Sequence, residues 1–188
     1  MSKDKNTPVT LSVGGKEIKS SIQGMREIVN SFKDDKSKEY FQISKVKFDG
    51  KEVKINYSKR IKDDEHVDCQ FVCKDLPHSD FENALEKIKN DFMDILELPE
   101  EYGADLELRG LSIKLDDFLS KEGVTITGLK KLNSGKQVCI NTPYLEFSDE
   151  NSVLTERTIK KINHLEDEAF KYIDGKRKNA QLKLVVNS

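Results

Sequence analysis

Arginine is scarce in this 188-residue chain: Arg26, Arg60, Arg109, Arg157 and Arg177 are all there is, and lysine supplies the remaining positive charge. The planar guanidinium fork is the usual group for bidentate reading of guanine or clamping of phosphate, so direct base readout is disfavoured while lysine contacts to a backbone are not. An AT-rich genome would produce the same bias. A surplus of one sign is lacking too, with 32 basic against 34 acidic residues and a net charge of −2. Coating DNA through bulk charge needs a Lys and Arg excess, which leaves only a local basic patch. No apolar run approaches the roughly 18 residues of a membrane span. The opening MSKDKNTP has no signal-peptide core, which points to a cytosolic protein with no membrane partner.

Cysteine is limited to Cys69, Cys73 and Cys139. An odd number in a cytosolic chain reads as free, reduced thiols. Cys69 and Cys73 fall four apart, about 13 Å on a strand, too far for a disulfide or for two ligands of one zinc. His66 falls on the other side of that strand, so a Cys/His metal site is disfavoured and core packing is the default. Cys139 alternates with strand apolars and is also expected to pack. A Cys139–His164 nucleophilic pair has no surrounding signature. Gly14-Gly15 lacks the Lys-Ser/Thr of a phosphate loop, and no Gly-x-Gly-x-x-Gly, Gly-x-Ser-x-Gly or His-Glu-x-x-His occurs. The common enzyme signatures are missing together. The expectation is a non-enzyme with no catalytic residues, cofactor or metal.

What is present is a thin core, 36% hydrophobic against 35% charged, with a mean hydropathy of −0.65. That suits one domain, or two small ones. Residues 1–40 read as a disordered start, a hairpin turning at Gly14-Gly15 and a short helix with Met25, Ile28, Val29 and Phe32 on one face. Residues 41–188 read as the main α+β domain. Val46 and Phe48 run into Asp49-Gly50, and Val53, Ile55 and Tyr57 run out. A two-residue loop there sets Val46 opposite Val53. Residues 59–66 read as a charged loop, followed by a strand over Val67–Cys73.

Ser79 and Glu82 fit a capping box at the start of a helix whose stripe is Phe81, Ala84, Leu85, Ile88, Phe92, Ile95 and Leu96. Pro99-Glu100-Glu101 suits a short helical turn. Extended segments follow around Leu106–Ile113, with Gly110 as a bulge, then Val124–Leu129 and Val138–Ile140. A last helix spans about Ser152 to Asp174, with Gly175 as its C-terminal glycine. Residues 43–96 and 106–173 thus share a β-β-β-α order, which suggests a pseudo-repeat without residue identity. The fold expected is α+β, an antiparallel sheet covered by amphipathic helices.

Two charged clusters remain. Asp94, Glu97, Glu100, Glu101, Asp105 and Glu107 read as a solvated acidic surface, since nothing in their spacing makes their oxygens converge. Arg157, Lys160 and Lys161 on the last helix, with Lys176, Arg177 and Lys178 behind it, form the candidate binding stripe, although Glu156, Glu166, Asp167 and Glu168 interleave with it.

Several short motifs carry a likeness. Asp75-Leu76-Pro77-His78-Ser79-Asp80-Phe81, Leu96-Glu97-Leu98-Pro99-Glu100-Glu101-Tyr102, Leu108-Arg109-Gly110-Leu111-Ser112, Asn141-Thr142-Pro143 and Tyr172-Ile173-Asp174-Gly175-Lys176-Arg177 together make residues 43–184 resemble small phage- and prophage-encoded proteins of low-GC Gram-positive bacteria. That family brings no catalytic residues to carry over. The resemblance implies a phage protein working in the cytoplasm of a host bacterium, among functions of replication, recombination or counter-defence. The first expectation is non-enzymatic binding of a host or phage protein. The alternatives are a DNA-clamp-like or recombination accessory protein, and an inhibitor or nucleotide sponge aimed at bacterial immunity, the last two compatible with a homo-oligomer.

Overall fold

Strict alternation of apolar and polar side chains over residues 41–73 and 106–131 yields strands with one oily side. In the computed structural model, which describes residues 8–13, 16–21, 41–62, 65–149 and 153–178, these strands join one antiparallel sheet. In chain order they are β1 (Pro8–Val13), β2 (Lys16–Ser21), β3 (Phe41–Phe48), β4 (Val53–Lys62), β5 (Glu65–Cys73), β6 (Leu106–Leu115), β7 (Lys121–Lys131), β8 (Gln137–Asn141) and β9 (Leu145–Glu146). Their spatial order is β2-β1-β5-β4-β3-β6-β7-β8, and β9 also pairs with β7. Helix α1 (Ser79–Ile95) packs on β6, helix α2 (Glu156–Ile173) on β3, and the two helices pack on each other. The α+β class with helices on an antiparallel sheet is therefore as the sequence implied. The short helix expected at Met25–Phe32 lies outside the described residues. The N-terminal hairpin extends the main sheet, because β1 pairs with β5.

The core is a register row repeated across the strands. Phe71, Ile55, Val46, Leu111 and Ile126 are successive cross-strand partners, and all are buried. Phe81, Ile88 and Phe92 of α1 and Ile162, Leu165 and Tyr172 of α2 close over them. Burying a side chain of this size contributes about 1.5–3 kcal/mol, so this one layer outweighs any surface ion pair. The β-β-β-α repeat expected from sequence is not confirmed, since four strands, β6 to β9, precede α2 and the burial pattern differs as well. β5 buries Cys69, Phe71 and Cys73, whereas β8 is exposed at all positions but Ile140.

Local chemistry moved several boundaries. The Asp49 carboxylate accepts the N–H groups of Lys51 and Glu52, both at 2.9 Å, and so builds a four-residue loop in place of a two-residue turn. Val46 consequently faces Ile55, and Phe48 faces Val53. Residues 59–62 and 65–66 are strand, because Lys59 pairs with Val67 and Arg60 with His66; ladder hydrogen bonds outweigh their polarity. His78, not Ser79, caps α1, its Nδ1 accepting from the Asp80 N–H at 3.3 Å. Thr155 caps α2, accepting from Thr158 N–H at 3.1 Å, so that helix starts later than the expected Ser152. Pro99 leads into a 3-10 helix over Glu100–Asp105. Gly175 has φ +98, with Gly175 N–H bonded to Tyr172 O and Lys176 N–H to Lys171 O, closing α2 as expected.

The bulge at Gly110 matters most. It has φ +144, and a Cβ there would stand 1.8 Å from the Val46 carbonyl oxygen. Only a bare Cα lets β6 meet β3. Gly110→Ala is therefore expected to cost more than about 4 kcal/mol or to prevent folding. Gly135→Ala, where φ is +78 but a Cβ meets nothing within 4 Å, is expected to cost only about 1–2 kcal/mol. Urea denaturation of both variants checks the contrast, and equal losses would refute it.

Candidate binding face

The basic residues picked out from sequence are not assembled into one stripe. Arg157 is exposed on the first turn of α2, and Lys160 pairs with Glu156 at 2.5 Å in solvent. Lys161 bridges the helices, reaching Asp91 of α1 at 2.5 Å, while the other Asp91 oxygen accepts from the Thr158 hydroxyl at 3.1 Å. Lys176 binds Asp80 at 2.5 Å and buried Glu168 at 2.8 Å, tying the end of α2 to the start of α1. Arg177 is buried, its guanidinium 4.9 Å from the Tyr172 ring centre and 5.9 Å from that of Phe71, with Asp75 at 3.6 Å. Lys178 is exposed, and its N–H bonds the Leu76 carbonyl. Three of these six cations thus work inside the fold.

The thiols divide as well. Cys69 and Cys73 are buried in the core, and burial pushes the Cys69 thiol above its ordinary value, making it a poor nucleophile. Cys139 is exposed, against the packing expected from its alternation. Ile140 pairs with Gly128 and takes the inward place, which turns Cys139 outward beside Leu129. Since α2 covers the inward side, Cys139 and His164 are not brought together. The acidic cluster from Asp94 to Glu107 is exposed throughout.

The helices leave the other side of the sheet uncovered among the described residues. Two register rows run across it: Val72, Lys54, Lys47, Gly110, Thr127 and Asn141, then Gln70, Asn56, Lys45, Ser112 and Thr125. These rows hold three lysines and no carboxylate, in a chain whose acids outnumber its bases. Lys47 lies directly opposite Lys54, and like charges in that position are destabilising. Glu52 relieves Lys54 at 2.9 Å. Lys45 and Lys47 have no hydrogen bond or ion pair among the described residues, and Lys47 gains only the distant attraction of Asp49. Apart from Val72 and Gly110, short polar side chains make up the rest of these rows: Gln70 donates to Asn56 at 3.1 Å, and Thr127 to Asn141 at 2.8 Å.

Beside Lys45 the face dips into a cleft of about 500 Å³, lined by Ser44, Asn56, Gln70, His66 and Asp68 and walled by the β6–β7 loop. Asp116 shapes that loop by accepting the N–H groups of Phe118 and Ser120, at 2.9 and 2.7 Å. Leu119, at φ +62, is buried apart from the main core. Arg60 donates to the Phe118 carbonyl and holds the loop against β4. Two exposed rings rim the area. Phe118 is 61% exposed, and Tyr144 is 44% exposed with its ring where a side chain of Gly123 would project, opposite Lys114.

None of these open-face lysines was picked out from sequence. The available signal was the outward half of the alternation, Lys45-Val46-Lys47 against Lys54-Ile55-Asn56. A two-residue hairpin would have set Lys47 opposite Glu52 as an ordinary ion pair, and the Asp49 loop is what makes the like-charge contact. No protein-family model matches this chain, and no curated protein or solved structure matches it.

Two outcomes follow. Replacing Lys47 by threonine removes the like-charge contact and suits a strand, so Lys47→Thr is expected to raise stability by about 0.2–1 kcal/mol in urea titrations; a loss would show that Lys47 supports the fold. Acid response separates two buried glutamates. Burial raises the Glu168 carboxyl, but its bonds to Lys171 and Lys176 outweigh this and hold it below its ordinary 4.5. Its stabilisation is complete above the unfolded value and is lost as pH falls through the folded one. Glu166 is pushed above 4.5 by burial, despite its pair with Lys121. It therefore weakens the fold as pH rises from the unfolded value through its raised folded one. Denaturation midpoints between about pH 3 and 7 are expected to fall less toward acid in Glu168→Gln, and to fall less above about pH 4.5 in Glu166→Gln. Parallel profiles for wild type and both variants would contradict these assignments.

Proposed function

We propose that the chain is a non-enzymatic binding protein that holds an anionic macromolecule on the open face of its sheet. The observation that carries this reading is the placement of Lys47 against Lys54, with Lys45 alongside, in two rows without a carboxylate. A fold that retains a destabilising charge contact at its centre, with two of the three lysines unpaired among the described residues, has the character of a site kept for a partner. The raised pKa of Cys69 and the separation of Cys139 from His164 weigh against cysteine nucleophilic chemistry.

The resemblance to phage proteins supplies the setting: a bacterial cytoplasm during infection, with replication, recombination or counter-defence as the context. Among the described residues no helix is long and apolar enough to cross a membrane. The clamp-like alternative draws less support, because a DNA-lining α2 would need Lys161, which bridges the two helices instead. The sponge alternative asks for lysines and arginines of neighbouring protomers around an oligomer pocket; the cleft of the single chain has no lysine or arginine in its lining.

Elution from immobilised heparin, a generic polyanion, tests which surface is used. The double variant Lys45→Glu/Lys47→Glu is expected to elute at clearly lower salt than wild type, and Arg157→Glu/Lys160→Glu at nearly the wild-type position. The opposite ranking would move the site to α2 and overturn this reading.

A further inference from the structure

We propose that the open face binds single-stranded nucleic acid, with phosphates on Lys45, Lys47 and Lys54 and a base lodged in the adjoining cleft. This deepens the reading above, on which it rests, by naming the ligand. Four features of the face carry it.

First, the charge is arranged as a track. Lys54 and Lys47 are cross-strand partners, and Lys45 is two residues along β3. Lys114 continues the line on β6, two residues beyond Ser112, the partner of Lys45, although Glu122 shares its charge at 2.6 Å. Lysines at strand spacing track a backbone and do not read base edges, which fits the scarcity of arginine.

Second, the track leads to aromatic surface. The exposed Tyr144 ring stands over Gly123 beside Lys114, and Phe118 projects from the loop at the end of β6. Exposed rings next to basic side chains give unpaired bases a stacking platform, which a duplex cannot use.

Third, the cleft begins where the lysines end. Ser44 and Asn56 line it, and Lys45 lies between them in sequence and register. Its roughly 500 Å³ falls within the usual range for small-molecule sites. The amides of Asn56 and Gln70 and the carboxylate of Asp68 offer acceptors and donors for the edge of an extruded base.

Fourth, polarity gives the ligand a direction. Asp68, Asp116 and Asp117 at the cleft repel phosphate, and Asp68 and Asp117 accept from exocyclic amino groups, so backbone belongs at the lysine end and base at the acidic end. An acidic protein would meet the same lysines but would be repelled by that acidic cleft. A free nucleotide would leave the track toward Tyr144 unused.

The test is fluorescence anisotropy of the full chain with a labelled single-stranded oligonucleotide of roughly 15 nucleotides. Three neutralised phosphates at ~0.7 each give a log–log salt slope near −2, so affinity is expected to fall roughly twentyfold from about 50 to about 200 mM salt. Lys45→Ala/Lys47→Ala is expected to lose tenfold or more in affinity and to flatten that slope. Tyr144→Ala is expected to lose about fivefold or more with the slope unchanged. Arg157→Ala should bind as wild type, the circular dichroism melt of Lys45→Ala/Lys47→Ala should match or exceed wild type, and Tyr144→Ala should remain folded at the assay temperature. A salt-independent signal, an equal loss in Arg157→Ala, a duplex bound as tightly as the strand, or a mononucleotide competing as well as the strand would each overturn the proposal. If the strand fails to bind while the heparin ranking holds, the ligand class falls and the open-face reading stands. If both fail, the site is elsewhere.

Discussion

The seam between β3 and β6 holds this fold together. It is the strand pairing that joins β2-β1-β5-β4-β3 to β6-β7-β8, and it exists because Gly110 presents no Cβ to the Val46 carbonyl. Val46 and Leu111 meet there on the inner side, under both helices, and Lys45 and Lys47 stand on the outer side of the same residues' neighbours. The seam that Gly110 makes possible thus carries Lys45 and Lys47 of the open face, with Lys54 on the next strand. Rigid strands position side chains better than loops do, so a binding surface on this seam is already organised before any partner arrives.

The two α-helices among the described residues lie on one side of the sheet. α1 and α2 are tied there by a few charged groups: Lys161 to Asp91, and Lys176, just beyond α2, to Asp80 of α1 and Glu168 of α2. A partly buried ion pair that also satisfies a hydroxyl is costly to break and offers little to a ligand. The outer side carries short amides and hydroxyls, with Lys45 and Lys47 unpaired among the described residues. Division of labour between the two sides follows from packing, since charge next to the core must be neutralised locally and charge facing water need not be.

Much of the architecture was legible in the sequence. Phe81 to Leu96 announced α1 by its stripe, Gly110 its bulge and Gly175 its C-cap, because each depends on neighbours within a few residues. What escaped depended on contacts distant in sequence or on a competing local bond. Asp49 was read as the first residue of a tight turn, but its carboxylate took two backbone N–H groups and lengthened the loop. Cys139 was assigned to the core, yet Gly128 on the neighbouring strand drew Ile140 inward instead. Lys161, Lys176 and Arg177 looked like a surface stripe because their partners Asp91, Asp80 and Asp75 lie 70 to 102 positions away. The open face was hidden for the complementary reason. Its residues alternate with the core positions that drew attention, and their meaning depends on a cross-strand register that no local pattern fixes.

The most direct measurement is an amide chemical-shift titration of the isotope-labelled protein with a short single-stranded oligonucleotide. The lysines of the seam, if they are the binding surface, require that shifts concentrate at Lys45, Lys47, Lys54, Asn56, Gln70 and Ser112, and fade as salt is added. Shifts centred on Arg157, Lys160 and the rest of α2, or no shifts at low salt, would contradict the assignment of function to this face.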